Sequence, residues 1–332
     1  MSNQPLVSVV TPFYNTAEFL RECIESVLAQ TYKNFEYLLV DNQSTDGSTQ
    51  IAAEYAMRDP RIRMVRNAEF VGQVRNYNGA LRQITAEARY VKIVQADDYI
   101  FPECLERMVA VGQSHPSAAI ISSYYLEGRY VCGSGIEWPT ECIPGRIASR
   151  LHLLENLFLF GTPTNLLYRA DLLGKRHPFF SESAMHEDTE LCHEVLADAD
   201  LGFVHQVLTM NRRGNDGILS SLEPFHWGPA FHYTVLRKFG PQFLSQQELP
   251  GRIGPARADY LRILGESVVL GREPEFWTYH RRALANVGEQ LPSRLALAPQ
   301  IARAAMKAVV RPAWLKRERA RLNRLRNGGD KQ

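Results

Sequence analysis

QADDYIFPE (residues 95–103) is the stretch whose reading decides the fold. YVKIV (90–94) precedes it, an apolar, β-branched run of strand length. Pro102 and then ECLERMVAVG follow, with helical periodicity. Asp97 and Asp98 therefore fall at the carboxyl end of a strand, where open α/β sheets bind ligands. Two adjacent carboxylates repel unless a cation holds them, and a hard divalent ion carrying a substrate's phosphates meets that need. The same dipeptide also suits a turn that caps the next helix. The surrounding chain has to decide between the two.

Upstream, LVSVV (6–10) reads as a strand ended by Thr11-Pro12, and TAEFLRECIESVLAQ as a helix capped by Thr16. FEYLLV (35–40) is a second strand that ends at Asp41. The polar turn DNQSTDGS follows, with Ser44 or Thr45 placed to cap a helix running to Met57. RIRMVR is a short third strand and GQVRNYNGALRQITA (72–86) a third helix. Downstream, AAIISSYY (118–125) is a fifth strand. Strands alternating with helices predict a mostly parallel sheet with right-handed crossovers. Residues 126–150 are rich in Gly and Pro and read as a loop or short hairpin. IASRLHLLENLFLF reads as a helix, GTPTNLLYRADLL as a return to the sheet, and LGFVHQVLTMNRR as a strand. Between the last two, HEDTELCHEVLAD (186–198) is a helix with its acids in the first turn, where the helix dipole favours them. From Leu222 onward the pattern is mainly helical.

The 332 residues are 45% hydrophobic and 22% charged with a net charge of +2, an ordinary soluble composition. No apolar run reaches membrane-spanning length, and MSNQPLVSVV lacks a secretory pattern. The five cysteines (Cys23, Cys104, Cys132, Cys142, Cys192) are scattered without metal-ligand spacing. They read as reduced thiols of a cytoplasmic protein, with nothing requiring Cys132 and Cys142 to pair. Charge is uneven: residues 303–332 carry 10 Lys/Arg and 2 Asp/Glu.

Polar residues thus collect at one edge of the expected sheet: Thr11 and Tyr14 after the first strand, Asp41 after the second, Asp97 and Asp98 after the fourth. Asp41 has the chemistry to accept a uracil imide N–H, or to form an Asx turn. Arg75, in the first turn of its helix, has the reach for a phosphate. Neither G-x-x-x-x-G-K-[ST] nor G-x-G-x-x-G occurs, so P-loop and dinucleotide sites lose support.

Over residues 5–221 the chain resembles family 2 glycosyltransferases, inverting nucleotide-sugar enzymes with the GT-A fold. VSVVTPFYN, LLVDNQSTDGS, GQVRNYNGAL, QADD and HEDTEL carry the resemblance, in family order and at family-like spacing. It implies a GT-A catalytic domain over 1–221, with a Rossmann-like nucleotide-sugar half over about 1–125 and an acceptor half over about 126–221. A helical region over 222–332 follows, with a basic amphipathic tail over 294–332. It assigns Asp41 to the base, Thr11, Pro12, Tyr14 and Arg75 to nucleotide and phosphate, and Asp97 to ribose or pyrophosphate. Asp98 becomes the ligand of Mn2+ or Mg2+. Asp188 becomes the general base, with Glu187 its neighbour in the acceptor site and His186 beside them. Arg212 or Arg213 would close over the pyrophosphate.

Gln95 departs from the family pattern, since many relatives carry an Asp there. The Q-x-x-R-W signature of processive synthases is absent, and MNRRGNDGILSS stands in that region. The resemblance therefore implies non-processive transfer from a nucleotide sugar, UDP-linked by first choice, to a glycan or lipid-linked envelope acceptor. A nucleotide-sugar-binding module without turnover and a metal-dependent nucleotidyltransferase stand as alternatives. No nucleic-acid partner is expected. The tail combines Leu297, Ile301, Ala304, Ala305 and Ala308 with Arg303, Lys307 and Arg311, and AWLKRERARLNRLR follows Pro312. Such a segment suits peripheral contact with the inner face of the cell membrane, packing on the enzyme itself, or a homodimer.

Overall fold

The strands are β1 (Val7–Phe13), β2 (Phe35–Asp41), β3 (Ile62–Arg66), β4 (Tyr90–Ile93), β5 (Tyr99–Ile100), β6 (Ala118–Glu127), β7 (Tyr130–Cys132), β8 (Cys142–Ile143), β9 (Leu167–Arg169) and β10 (Asp200–Asn211). Between them run α1 (Ala17–Leu28), α2 (Ser48–Arg58), α3 (Gln73–Leu81), α4 (Cys104–Ser114), α5 (Gly145–Glu155), α6 (Asp171–Lys175) and α7 (Glu187–Val195). The structure is a computed structural model and describes residues 4–155, 157–213 and 222–328. It divides into two compact units, residues 1–213 and 214–332. The boundary expected at residue 221 falls within 214–221, outside the described residues.

The sheet of the first unit has the order β3-β2-β1-β4-β9-β6-β10-β5, with β7 beside β6 and β8 beside β10. β3, β2, β1 and β4 are parallel, as alternating strands and helices predict. β9 then pairs antiparallel with both β4 and β6, and so joins this half to the parallel pair β6–β10. Alternation along the strands feeds two apolar layers. Val7, Val9, Tyr37 and Leu39 pack with Leu20 and Ile24 of α1 and Leu105 and Met108 of α4. Val10, Leu38 and Val40 pack with Leu81 of α3, Ala148 of α5 and Leu191 of α7.

Several local expectations change. β1 runs through Thr11 and Pro12 rather than ending before them. It pairs with β2 to Phe13 but with β4 only to Val10. The Val7 N–H points to the β2 side and the Val10 carbonyl to the β4 side, so even-numbered residues face β4. The missing N–H of Pro12 thus falls where that ladder has already ended. Thr16 makes no side-chain cap on α1, and α2 starts from Gly47 at φ +99° rather than from Ser44 or Thr45. The helix expected over IASRLHLLENLFLF stops at Glu155, and Leu159 and Phe160 enter the core from irregular backbone. All five cysteines are free.

The second unit contains α8 (Trp227–Phe243), α9 (Glu248–Leu270), α10 (Pro274–Ala285), α11 (Ala298–Val310) and α12 (Pro312–Gly328). Tyr233, Tyr260, Leu264, Phe276 and Leu284 form its core. α11 lies close on α9 because Gly265 has no side chain. A Cβ there would sit 2.4 Å from Gln300 Cβ and 2.8 Å from the Gln300 carbonyl carbon. Lys307 of α11 pairs with Glu266 of α9 at 2.8 Å. Among the described residues no helix is long and apolar enough to cross a membrane.

Candidate active site

Past β4 the chain makes a tight turn, closed by the Asp98 N–H donating to the Gln95 carbonyl at 2.9 Å. β5 then pairs with Thr209 and Met210 near the end of β10, which brings Asp98 against Asn211 and Arg212. Asp98 is only 4% exposed. Its Oδ2 accepts from Thr164 Oγ1 at 2.6 Å and Asn211 Nδ2 at 2.7 Å, and its Oδ1 from the Arg212 N–H at 3.0 Å. Burial and the neighbouring Asp97 still push its carboxyl up to about 7. Three internal donors thus orient Asp98, the expected metal ligand, and Asp97 is the more exposed acid of the pair.

Thr164, Asn165 and Asn211 hold this loop and were missed in the sequence. Asn165 Nδ2 donates to Thr209 Oγ1 (2.6 Å) and Asn211 Oδ1 (2.8 Å), and its Oδ1 accepts from the Thr162 N–H at 2.6 Å. Lys92, wholly buried in β4, donates to the Thr164 carbonyl at 2.6 Å, and burial pulls its pKa down. The signal available was TPTN, a Pro flanked by short polar residues just before a strand. Gln95 is also employed: its Nε2 donates to Tyr77 Oη at 3.1 Å, and its N–H donates to Thr164 Oγ1 at 3.1 Å.

The second acid pair opens α7. Glu187 and Asp188 are half-buried in its first turn. The Thr189 N–H donates to Asp188 Oδ1 at 2.6 Å. Burial raises the Asp188 carboxyl, and burial with Asp188 and Glu190 pushes Glu187 up to about 7. Burial pulls His186 down to about 4, so its imidazole is neutral at pH 7. Tyr77 of α3 links the two pairs. Its hydroxyl accepts from Gln73 Nε2 (2.6 Å) and Gln95 Nε2 (3.1 Å), and burial, with a smaller push from the charges of Glu187 and Asp97, holds its proton on.

The expected nucleotide contacts fare unevenly. Tyr14 is 45% exposed beside the exposed Phe70, with ring centroids 4.8 Å apart, a platform on which a base can stack. Pro12 is buried within β1. The Thr11 hydroxyl lies 2.9 Å from Tyr37 Oη in a wholly buried position. Asp41 is buried as well. It is 0% exposed, with Oδ1 accepting from the Ser44 N–H and Oδ2 from Thr49 Oγ1, each at 2.8 Å. Its carboxylate shapes the turn after β2, as in an Asx turn. Arg212 donates from Nε to the Asp97 carbonyl at 2.7 Å, pairs with Glu22 and lies 5.0 Å from the Phe19 ring. These contacts tie it to the acid loop. Arg213 pairs with Glu127. Arg75 is exposed, pairs with Glu182 at 2.9 Å and lines a cleft of about 410 Å3 with Asn67 and Glu69. Exposed pairs of this kind contribute little, so Arg75 can exchange Glu182 for a phosphate.

Among the described residues no three His, Cys, Asp or Glu side chains form a cluster that would hold a metal alone. Two adjacent carboxylates at Asp97 and Asp98 are nevertheless hard oxygen donors, and this set fits an ion that takes its other ligands from a bound diphosphate.

The model of the family described as Glycosyl transferase family 2 matches residues 8–176. Glycosyltransferase GlyG of Streptococcus pneumoniae serotype 4 is 29% identical over 233 residues, 67% of this chain and 75% of that protein. The crystal structure of S. aureus TarS 1-349 in complex with UDP-GlcNAc is similar at a TM-score of 0.62 and 21% identity, over 90% of this chain and 88% of that one. The mannosyltransferase PcManGT from Pyrobaculum calidifontis, in complex with GDP-Man and Mn2+, is similar at 0.53 and 18% identity, over 100% and 89%. These two structures share the fold with this chain.

Proposed function

This chain belongs to glycosyl transferase family 2 and is a glycosyltransferase of GT-A fold, and from that premise we propose that it moves single sugars from a UDP-sugar to a hydroxyl of a glycan or lipid-linked acceptor with inversion. One observation carries the reading. Asp97-Asp98 follow β4 at the carboxyl edge of a parallel sheet, and Tyr77, bonded to Gln95 just before them, also feels the charge of Glu187 in the second acid pair. The UDP-sugar in the TarS crystal structure supports the choice of donor.

In the reaction, Asp188 takes the proton of the acceptor hydroxyl as that oxygen bonds to the anomeric carbon. The bond from the anomeric carbon to the diphosphate oxygen breaks on the opposite face, and the nucleoside diphosphate leaves with the electron pair. One displacement inverts the centre. Burial raises Asp188, which makes it a better base than a solvated carboxylate. Glu187 orients the acceptor, and Tyr14 with Phe70 receives the base. Arg75 meets the phosphates. Asp98, with Asp97 beside it, would hold a Mn2+ or Mg2+, and such an ion supplies charge stabilisation to the departing diphosphate.

A nucleotidyltransferase would present a basic loop after its first strand, whereas TPFYNTAEF holds no Lys or Arg. The test is a panel of nucleotide sugars in thermal shift with and without Mn2+, followed by release of free UDP from the stabilising donor. A UDP-sugar should raise the melting temperature by mass action and be slowly hydrolysed. Stabilisation by nucleoside triphosphates with pyrophosphate release would overturn the reading.

A further inference from the structure

α11 is apolar on two sides. Its inner side, Ile301 and Ala304, packs into the helical unit, with Ala304 buried. A second stripe, Ala302, Ala305, Met306 and Val309, recurs at helical spacing and is exposed, and Val310 extends it. Met306 is 65% exposed, Val309 77% and Val310 69%, and Leu295 just before the helix is 86% exposed. Arg303 and Arg311 of the same segment are exposed, as are Lys316, Arg317, Arg319, Arg321 and Arg324 of α12. Between residues 303 and 332 the sequence offers only Glu318 and Asp330 against ten cations. Lys307 and Trp314, by contrast, are used internally. The Lys307 ammonium pairs with Glu266 and lies 4.2 Å from the Trp314 ring centroid.

We infer that this exposed stripe of α11, with the surrounding cations, docks reversibly on an anionic lipid bilayer. The stripe offers methyl and thioether groups without hydrogen-bonding atoms, which suits the boundary between headgroups and acyl chains. The cations meet the lipid phosphates, each tightening binding about fivefold. Charge decides against a second copy as occupant, because two such segments face to face would bring like charges together. The inference is independent of the donor and acceptor chemistry proposed above, and its test does not read activity.

The experiment is sedimentation of the full chain with vesicles of phosphatidylcholine alone or mixed with phosphatidylglycerol. The protein should pellet with the anionic vesicles only, and added salt should release it. Removing residues 294–332 would uncover α9, so substitutions are used instead. Met306→Ser with Val309→Ser and Val310→Ser, all exposed, should weaken vesicle binding about tenfold while circular dichroism and melting temperature stay unchanged. Arg303→Gln with Arg311→Gln should weaken it about 25-fold. Failure of the native chain to pellet with anionic vesicles overturns the inference, as does native-like binding by the triple serine variant. A native dimer in light scattering that the triple variant dissolves overturns it too, by naming a second copy as the occupant.

Discussion

Asp97 and Asp98 are neighbours in sequence and opposites in setting, and substitution should separate them. Asp98→Ala leaves the Thr164 hydroxyl, the Asn211 amide and the Arg212 N–H without their acceptor. A stability loss of about 1–3 kcal/mol for each stranded buried group is expected in urea unfolding, less where water enters. Asp97→Asn should cost little stability yet abolish the Mn2+-dependent part of donor binding. Asp188→Asn should bind donor normally and lose transfer by roughly two to four orders of magnitude, measured as kcat. The pH response has a definite sign. Asp98 and Glu187 are each pushed up to about 7, above their unfolded values of about 4. The folded chain therefore holds protons that the unfolded chain releases, and stability from these groups is lost as pH rises through about 7. His186, pulled down to about 4, acts oppositely, but only below its unfolded value of about 6.5. Between about pH 6.5 and 8 the melting temperature of the ligand-free protein should fall, and UDP with Mn2+ should reduce the fall by favouring ionised carboxylates. Sequence placed the acids at the strand end and helix start but could not rank their exposure. Burial of Asp98 depends on Thr164 and Asn211, which are distant in the chain, and no local pattern reports such partners. Asp41 was open between two readings for the same reason, since only the folded turn shows both its oxygens occupied.

At the scale of elements, strand composition and the period of the helices were legible, because the central strands β1, β2 and β4 are buried on both faces and α1 on one. The antiparallel β9 was not, since LYR is too short to display a period and its direction is set by the connection that delivers it. Pro12 misled in an informative way: its cost to a ladder depends on which side the missing N–H faces, a property of pairing rather than composition. In the helical unit one glycine sets a helix-to-helix distance. Gly265→Ala would push a methyl into Gln300 of α11, against backbone as well as side chain. A loss of about 1–3 kcal/mol is expected, the usual cost of overpacking. Gly254→Ala, on the same helix with open space at the Cβ, should instead hold or raise stability. Denaturant midpoints of the two variants check this.

For the whole molecule, each of the two compact units carries an apolar core of its own. Calorimetry should accordingly resolve more than one unfolding transition, and donor with Mn2+ should shift only that of residues 1–213. The wiring of the acid loop carries a consequence for biosynthesis. The partners of Asp98 at Thr164, Asn211 and Arg212 lie 66, 113 and 114 residues further along the chain. At about 5–20 residues per second, the ribosome delivers the last of them many seconds after the acids emerge. During that interval the nascent chain can lay down β1 to β4 while Asp98 stays hydrated and the loop unshaped. The site is thus completed by the strand that arrives last, so an unfinished polypeptide meets nucleotide sugar in the cell without the means to spend it.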